Sequence, residues 1–332
     1  MKKKITRMII LSKTPFRLPL GGGSTDMPSY YEKYSGFIFS VTINMYMDIF
    51  IKEPITDDLV HMHYMRYEAE DSSDKIKHTL GKEALKMMNI KNKILVSFNA
   101  DTPAGTGLGS SGACAVGLLK GLALYKGGTL SNIEAAERSF IITQNLGLPD
   151  GKQDPYVCAL GGFVVLEIDK NGKVKVTKPA ISKNTADRFI NNSLFFYTGI
   201  KRDSEPILSA QNTSQVLELK HRTKEIGKEI YKCFLKGDLD KFGKLLDEHW
   251  RVKKMMSGSI SNTWLDEIYL VAQKAGALGG KIMGAGGGGY FMFYCPSEKI
   301  KAKVRKTLQR FKLREMNFAI DEHGARADAV YL

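Results

Sequence analysis

Pro103-Ala104-Gly105-Thr106-Gly107-Leu108-Gly109-Ser110-Ser111-Gly112 is the stretch on which the fold turns. An apolar run, Lys93–Asn99, reads as a strand before it, and Ala113–Leu124, small and apolar throughout, reads as a helix after it. Glycine tolerates positive φ and lets an anion approach the backbone N–H groups. A helix N-terminus adds unsatisfied N–H donors and a favourable dipole. The segment therefore predicts a phosphate cradle between strand and helix, with Ser110 and Ser111 placed either to cap the helix or to reach a Mg²⁺ ion. No lysine follows its last glycine, so it is not a Walker A loop. Gly107, Gly109 and Gly112 satisfy G-x-G-x-x-G, but Pro103 and its neighbours separate them from the strand, and no acidic residue closes a second strand downstream. That context argues against a dinucleotide-binding Rossmann unit.

Two further glycine clusters flank this loop along the chain. Gly21-Gly22-Gly23 lies in a predicted loop, Pro19–Thr25, between predicted strands at 5–12 and 37–54. Gly284–Gly289 runs directly into a predicted strand, Tyr290–Tyr294. Helices are expected at 78–89, Glu134–Leu146, Ser209–Leu235, Asp238–Met255, Trp264–Ala275 and Ser297–Phe311. Phe163–Ile168 and Lys173–Val176 read as a hairpin around Asn171-Gly172. Strands are expected at Leu194–Tyr197 and Ala327–Leu332. Polar residues interrupt the pattern at 178–192, which places a domain boundary near 180 and divides the chain into 1–180 and 181–332.

The 332 residues suit two domains. With 43% hydrophobic and 25% charged residues, disordered and rod-like classes are excluded. No apolar run approaches the ~20 residues that span a bilayer. Lys and Arg number 49 against 35 acids, a formal charge of +14. Apart from Lys2–Lys4 the basic residues are dispersed, and no interleaving with aromatics suggests nucleic acid as a partner. The four cysteines have neither metal-ligand nor redox spacing, which predicts a reducing, cytoplasmic setting without disulfides.

Together the three clusters resemble the GHMP kinases (galactokinase, homoserine kinase, mevalonate kinase). Pro103–Ser111 resembles that family's phosphate-binding loop, Lys281–Gly289 its C-terminal glycine motif, and Phe16-Arg17 with Gly21–Asp26 its N-terminal substrate motif. Gly22-Gly23-Ser24-Thr25-Asp26, Gly151-Lys152-Gln153-Asp154 and Tyr197-Thr198-Gly199-Ile200 narrow the likeness to heptose 7-phosphate kinases and the kinase part of fucose-salvage enzymes. Gly23 stands where galactokinases carry Glu. The resemblance implies an α+β, two-domain GHMP kinase fold, with a ribosomal-protein-S5-like N-terminal domain and a ferredoxin-like C-terminal domain. It implies transfer of phosphate from ATP, with Mg²⁺, to the anomeric hydroxyl of a sugar phosphate, in a monomer or homodimer. A fucokinase-like enzyme and a non-catalytic nucleotide-binding regulator are the alternatives.

The resemblance also assigns roles. Pro103, Gly105, Gly107, Leu108, Gly109, Ser110 and Ser111 would cradle ATP, with Ser111 on the metal. Asp154, by itself a solvated loop carboxylate, matches the residue that accepts the anomeric proton, and Arg17 the basic residue that pairs with it and with the γ-phosphate. Gly22, Gly23, Ser24, Thr25 and Asp26 would bind sugar, and Gly286, Gly287 and Gly288 would close over it. Lys152, Arg202 and Lys281 are candidates for an anionic end of the sugar, on charge alone. One departure stands out. Where the family has a metal-binding Glu, this chain reads Ile141-Ile142-Thr143-Gln144, with no carboxylate between Glu137 and Asp150.

Overall fold

The computed structural model describes residues 8–203, 205–210 and 214–331. Its strands are β1 (Met8–Gly21), β2 (Gly36–Lys52), β3 (Val60–His63), β4 (Tyr67–Glu70), β5 (Ile94–Ala100), β6 (Phe163–Ile168), β7 (Val174–Thr177), β8 (Ser193–Tyr197), β9 (Gly279–Ile282), β10 (Tyr290–Tyr294), β11 (Arg314–Glu315) and β12 (Arg326–Tyr331). Its helices are α1 (Pro28–Tyr34), α2 (Thr79–Met87), α3 (Ser110–Tyr125), α4 (Asn132–Asn145), α5 (Gln153–Leu160), α6 (Lys183–Asn192), α7 (Glu205–Ala210), α8 (Leu217–Lys236), α9 (Leu239–Lys254), α10 (Thr263–Ala275) and α11 (Glu298–Leu308). An eight-stranded sheet runs β12-β1-β2-β5-β3-β4, with β6 and β7 continuing from the other end of β2. A four-stranded sheet runs β11-β8-β10-β9, all pairs antiparallel.

Long β1 and β2 carry the site. Gly36–Ile43 is buried on both faces, as a central strand covered on two sides must be, whereas Asn44–Lys52 alternates between buried and accessible positions. Helix α3 is buried around nearly its whole circumference. Its Gly117 and Gly121 let it settle on β1 and β2, since a Cβ at Gly117 would lie 2.7 Å from Thr14 Oγ1 and one at Gly121 2.7 Å from Ile51 Cδ1. From the other half of the chain, α8 packs on β1 and β2. The crossing is glycine on glycine: a Cβ at Gly21 would lie 2.5 Å from Gly227 Cα.

Several sequence expectations change. The loop expected at Pro19–Thr25 begins later, because β1 continues to Gly21 by taking register shifts at Pro15/Phe16 and Pro19/Gly21, where proline has no N–H for the ladder. Residues 5–7 of the predicted first strand lie outside the described residues, as do Lys2–Lys4 and Leu332. The helical stretch expected at Ser209–Leu235 divides into α7 and α8. Asp154 stands not on a loop but in the first turn of α5. The final strand pairs with β1, so the first sheet takes one strand from the second half of the chain. Among the described residues no helix is long and apolar enough to cross a membrane.

Candidate active site

A single cleft gathers β1, the loop before α1, the loop leading into α3, the start of α5, and side chains from α8, α9 and β9. At its centre is an ion pair. Arg17 Nε donates to Asp154 Oδ1 at 2.8 Å and Nη2 approaches the same oxygen at 2.6 Å. Arg17 is almost fully buried, whereas Asp154 remains about one third exposed. The second carboxylate oxygen of Asp154 has no hydrogen-bond partner among the described residues and is open to the cleft.

The same arginine anchors the phosphate loop. Its Nη1 donates to the Gly107 carbonyl at 2.6 Å and its backbone N–H to the Leu108 carbonyl at 3.0 Å. Gly105, Gly107 and Gly109 take φ values of +75°, +86° and +79°, in the left-handed region that side chains resist. Gly109 caps α3 with no side-chain hydrogen bond, so Ser110 and Ser111 are not caps. They sit in the first helical turn and line the cleft. Helix α5 approaches α3 only because position 112 is glycine: a Cβ there would lie 2.8 Å from Asp154 Cβ. Pro103 is exposed outside the cleft, and Leu108 is a core residue that contributes only its carbonyl.

From the loop before α1, Gly23, Ser24 and Asp26 line the cleft. Gly22 and Thr25 shape the turn. Gly22 has φ +83° and Thr25 Oγ1 donates to its carbonyl at 2.7 Å. Ser24 itself holds φ +70°, an uncommon setting for a residue with a side chain. Asp26 does not cap α1. Its Oδ2 instead accepts the Gln153 N–H at 2.8 Å, and burial raises its carboxyl to about 6. Asp150, which the sequence reading passed over, also lines the cleft, and burial together with the nearby Asp154 and Asp26 charges lifts it to about 7.

Not every expected residue joins. Lys152 turns away, its Nζ held by Glu137 at 2.7 and 2.9 Å and lying over the Phe140 ring. Gly286 and Gly288 pack against Ile260 and Ile200, and Gly287 donates its N–H to the Ile260 carbonyl at 2.8 Å. These glycines back the cleft wall, and Gly284 and Ala285 face the cleft in their place. Arg202 and Lys281 do line it, joined by Thr223, His249 and Lys253. Arg202 Nε donates to the Gly286 carbonyl at 2.5 Å, which ties this wall together. The added residues were detectable in principle. His249 and Lys253 continue the Phe242, Leu245, Leu246 stripe of α9, where a solvated pair would be out of place.

Among the described residues no group of three acids, histidines or cysteines could hold a metal. The oxygen donors that line the cleft are the Ser110 and Ser111 hydroxyls and the Asp26, Asp150 and Asp154 carboxylates, which fits an ion that takes one or two protein ligands, keeps several waters and binds chiefly through substrate phosphates. At the family's Glu site Ile142 is a core residue, and Thr143, also buried and donating its hydroxyl to the Phe140 carbonyl at 2.8 Å, borders the cleft.

A glycine loop between strand and helix, an arginine-held carboxylate beside it and a glycine-backed second wall make up the cleft. The chain belongs to the GHMP kinases: residues 75–162 match the GHMP kinases N terminal domain and residues 230–312 the GHMP kinases C terminal domain. It is 29% identical to the D-glycero-alpha-D-manno-heptose 7-phosphate kinase of Campylobacter jejuni, over 96% of this chain and 98% of that one. It is 23% identical to the L-fucokinase/L-fucose-1-P guanylyltransferase of Bacteroides fragilis, over 90% of this chain and 36% of that one. The crystal structure of a D-glycero-D-manno-heptose 1-phosphate kinase from Bacteroides thetaiotaomicron superposes with a TM-score of 0.80 at 25% identity, covering 97% of this chain and all of the other. The enzyme is thus a kinase that phosphorylates an alcohol, with ATP as the family's donor.

Proposed function

We propose that this enzyme transfers the γ-phosphate of ATP to the anomeric hydroxyl of D-glycero-D-manno-heptose 7-phosphate, giving the 1,7-bisphosphate. The observation that supports it best is the state of Asp154. One oxygen is tied to Arg17, the other is open beside the phosphate loop, and the likeness to heptose phosphate kinases spans the whole chain. The anomeric hydroxyl must lose its proton as the new O–P bond forms. The open oxygen of Asp154 accepts that proton, help typically worth about 10²–10⁴-fold. Arg17, fixed by Gly107 and Leu108, stays beside the transferred phosphoryl group and offsets its charge. The N–H groups at the start of α3 face the nucleotide phosphates. Mg²⁺, held through Ser111 and the nucleotide, supplies further charge neutralisation when bound. Asp26 accepts hydrogen bonds from sugar hydroxyls, as an ionised carboxylate can only accept.

The test is direct. The purified enzyme is incubated with ATP, Mg²⁺ and heptose 7-phosphate, fucose or galactose, and the products are read by phosphorus NMR. A second sugar phosphate resonance at the anomeric position from heptose 7-phosphate is the expected result. Faster turnover of free fucose or galactose would overturn the reading.

A further inference from the structure

We infer that the cleft wall built by α8, α9 and β9 is an anion subsite, in which Thr223, His249, Lys253 and Lys281 hold the phosphate at the far end of the acceptor sugar. The inference rests on the reading that the acceptor is a sugar phosphate, and it names the residues that would select it.

All four side chains are at least nine-tenths buried, and all four line the cleft. His249 and Lys253 stand one turn apart on α9 and so share a face. Lys281 comes from β9, which packs on α9. Lys281 Nζ lies 3.3 Å from His249 Nδ1. With the lysine donating to Nδ1, the ring proton sits on Nε2, and that nitrogen has no partner. Thr223 Oγ1 is buried without a partner too. Among the described residues Lys253 Nζ bonds the Gly284 carbonyl and Lys281 Nζ the His249 ring, and neither lysine has a carboxylate in ion-pair range.

Buried polar groups in a finished core are nearly always satisfied. Buried cations without counter-ions are costly. Here the orphan Thr223 Oγ1 and His249 Nε2, a third orphan at Arg202 Nη2 and two lysines without counter-ions face one cavity. The cost shows in their titration: burial, with Arg202 and Arg17 close by, lowers Lys253 to about 7, and burial lowers Lys281 well below its ordinary range. A dianion offered to this wall would find donors in these groups, through charge-assisted bonds stronger than neutral ones.

Lys253 reaches the carbonyl of Gly284, which stands against Gly107 of the phosphate loop, so this wall begins beside that loop and runs toward the sugar turn, and the acceptor's phosphate is the anion with no other cradle. The nucleotide phosphates have the Gly105–Ser111 loop and Arg17. Thr223 lies one turn before Gly227 on α8, and Gly227 touches Gly21 at the root of the Gly22–Asp26 sugar turn.

Lys281→Met removes the charge and keeps the volume, and Thr223→Val removes only the hydroxyl, so both suit a buried site. The readout is the ratio of kcat/KM for heptose 7-phosphate to that for unphosphorylated heptose, with KM for ATP measured alongside. The ratio should fall about 10- to 100-fold in Lys281→Met and about 3- to 10-fold in Thr223→Val, with KM for ATP unmoved. An unchanged ratio in both variants, or a rise confined to KM for ATP, overturns the inference. A binding measurement separates this inference from the substrate reading. Inorganic phosphate should shift the His249 ring nitrogens by NMR in the wild type and not in Lys281→Met. That shift in a wild type that cannot turn over heptose 7-phosphate would keep the subsite and reject the sugar. Absence of the shift in an enzyme that does turn it over would reject the subsite alone.

Discussion

Three carboxylates share the cleft, and their surroundings set them apart. Asp154 is paired with arginine, whereas Asp26 and Asp150 are lifted by burial to about 6 and about 7. Asp150 therefore stays protonated in the native state over a range where the unfolded chain has already released its proton. Between pH ~4 and ~7 the native state holds the extra proton, so Asp150 lowers stability as pH rises, and its contribution levels off above ~7. Asp150→Asn should accordingly gain on the wild type in urea melts from pH 4 to 7 and hold that gain at pH 8. A difference independent of pH would contradict this. Gly151 explains how Asp26 comes so close: an added Cβ would land on the Asp26 carboxylate. Gly151→Ala should raise KM for the sugar about tenfold and leave KM for ATP alone, since a backbone hydrogen bond to a charged group is lost. Equal rises in both would show a general collapse of the cleft. Asp154 was legible through its motif, but Asp150 was not, because Pro149-Asp150-Gly151 reads as ordinary turn chemistry.

At the level of elements, the three glycine clusters were the legible signal, whereas the close packing that single glycines allow within α3 was not. Gly112 brings α5 against α3, and Gly117 and Gly121 bring α3 onto the sheet. What stayed hidden depends on which way a helix turns. Lys152 sits beside Gln153 in sequence but points to Glu137, and nothing local foretells that. On α4, Ile142 was the natural place to seek the missing acid, yet the helix turns it into the core and presents Thr143. Thr143→Glu should therefore lower the Mg²⁺ concentration for half-maximal activity. Ile142→Glu should lose several kcal/mol of stability by burying an unpaired charge, about 3–5 on the usual scale. Both are read by Mg²⁺ titration of activity and by thermal melts. A well-folded Ile142→Glu with tightened Mg²⁺ dependence would reverse the assignment.

Across the whole molecule, the two halves are closed on each other by glycine. A Cβ at Gly284 would lie 2.5 Å from Gly107 Cα, so the two glycine loops touch backbone to backbone. The chain then returns, and β12 seals the edge of β1 with pairs from Met8↔Tyr331 to Lys13↔Arg326. Because β1 carries Arg17, removal of residues 326–332 should lower Tm by about 5–10 °C and weaken activity in proportion. An unchanged Tm by circular dichroism would mean that β12 is dispensable. The order of the motifs along the chain made the two-part architecture readable. The return of β12 was not readable, since a short terminal strand carries no mark of its partner. All of this serves one arrangement, a carboxylate held by arginine in the cleft lined by the Gly105–Ser111 loop and the turn at Gly23–Asp26. The most direct measurement is the turnover of Asp154→Asn with ATP and heptose 7-phosphate, beside its affinity for ATP. The amide keeps the size and loses the proton acceptor, so kcat should fall about 10²–10⁴-fold while ATP binding survives. A folded Asp154→Asn enzyme that retains more than about a third of the wild-type kcat, far outside that range, would contradict the account.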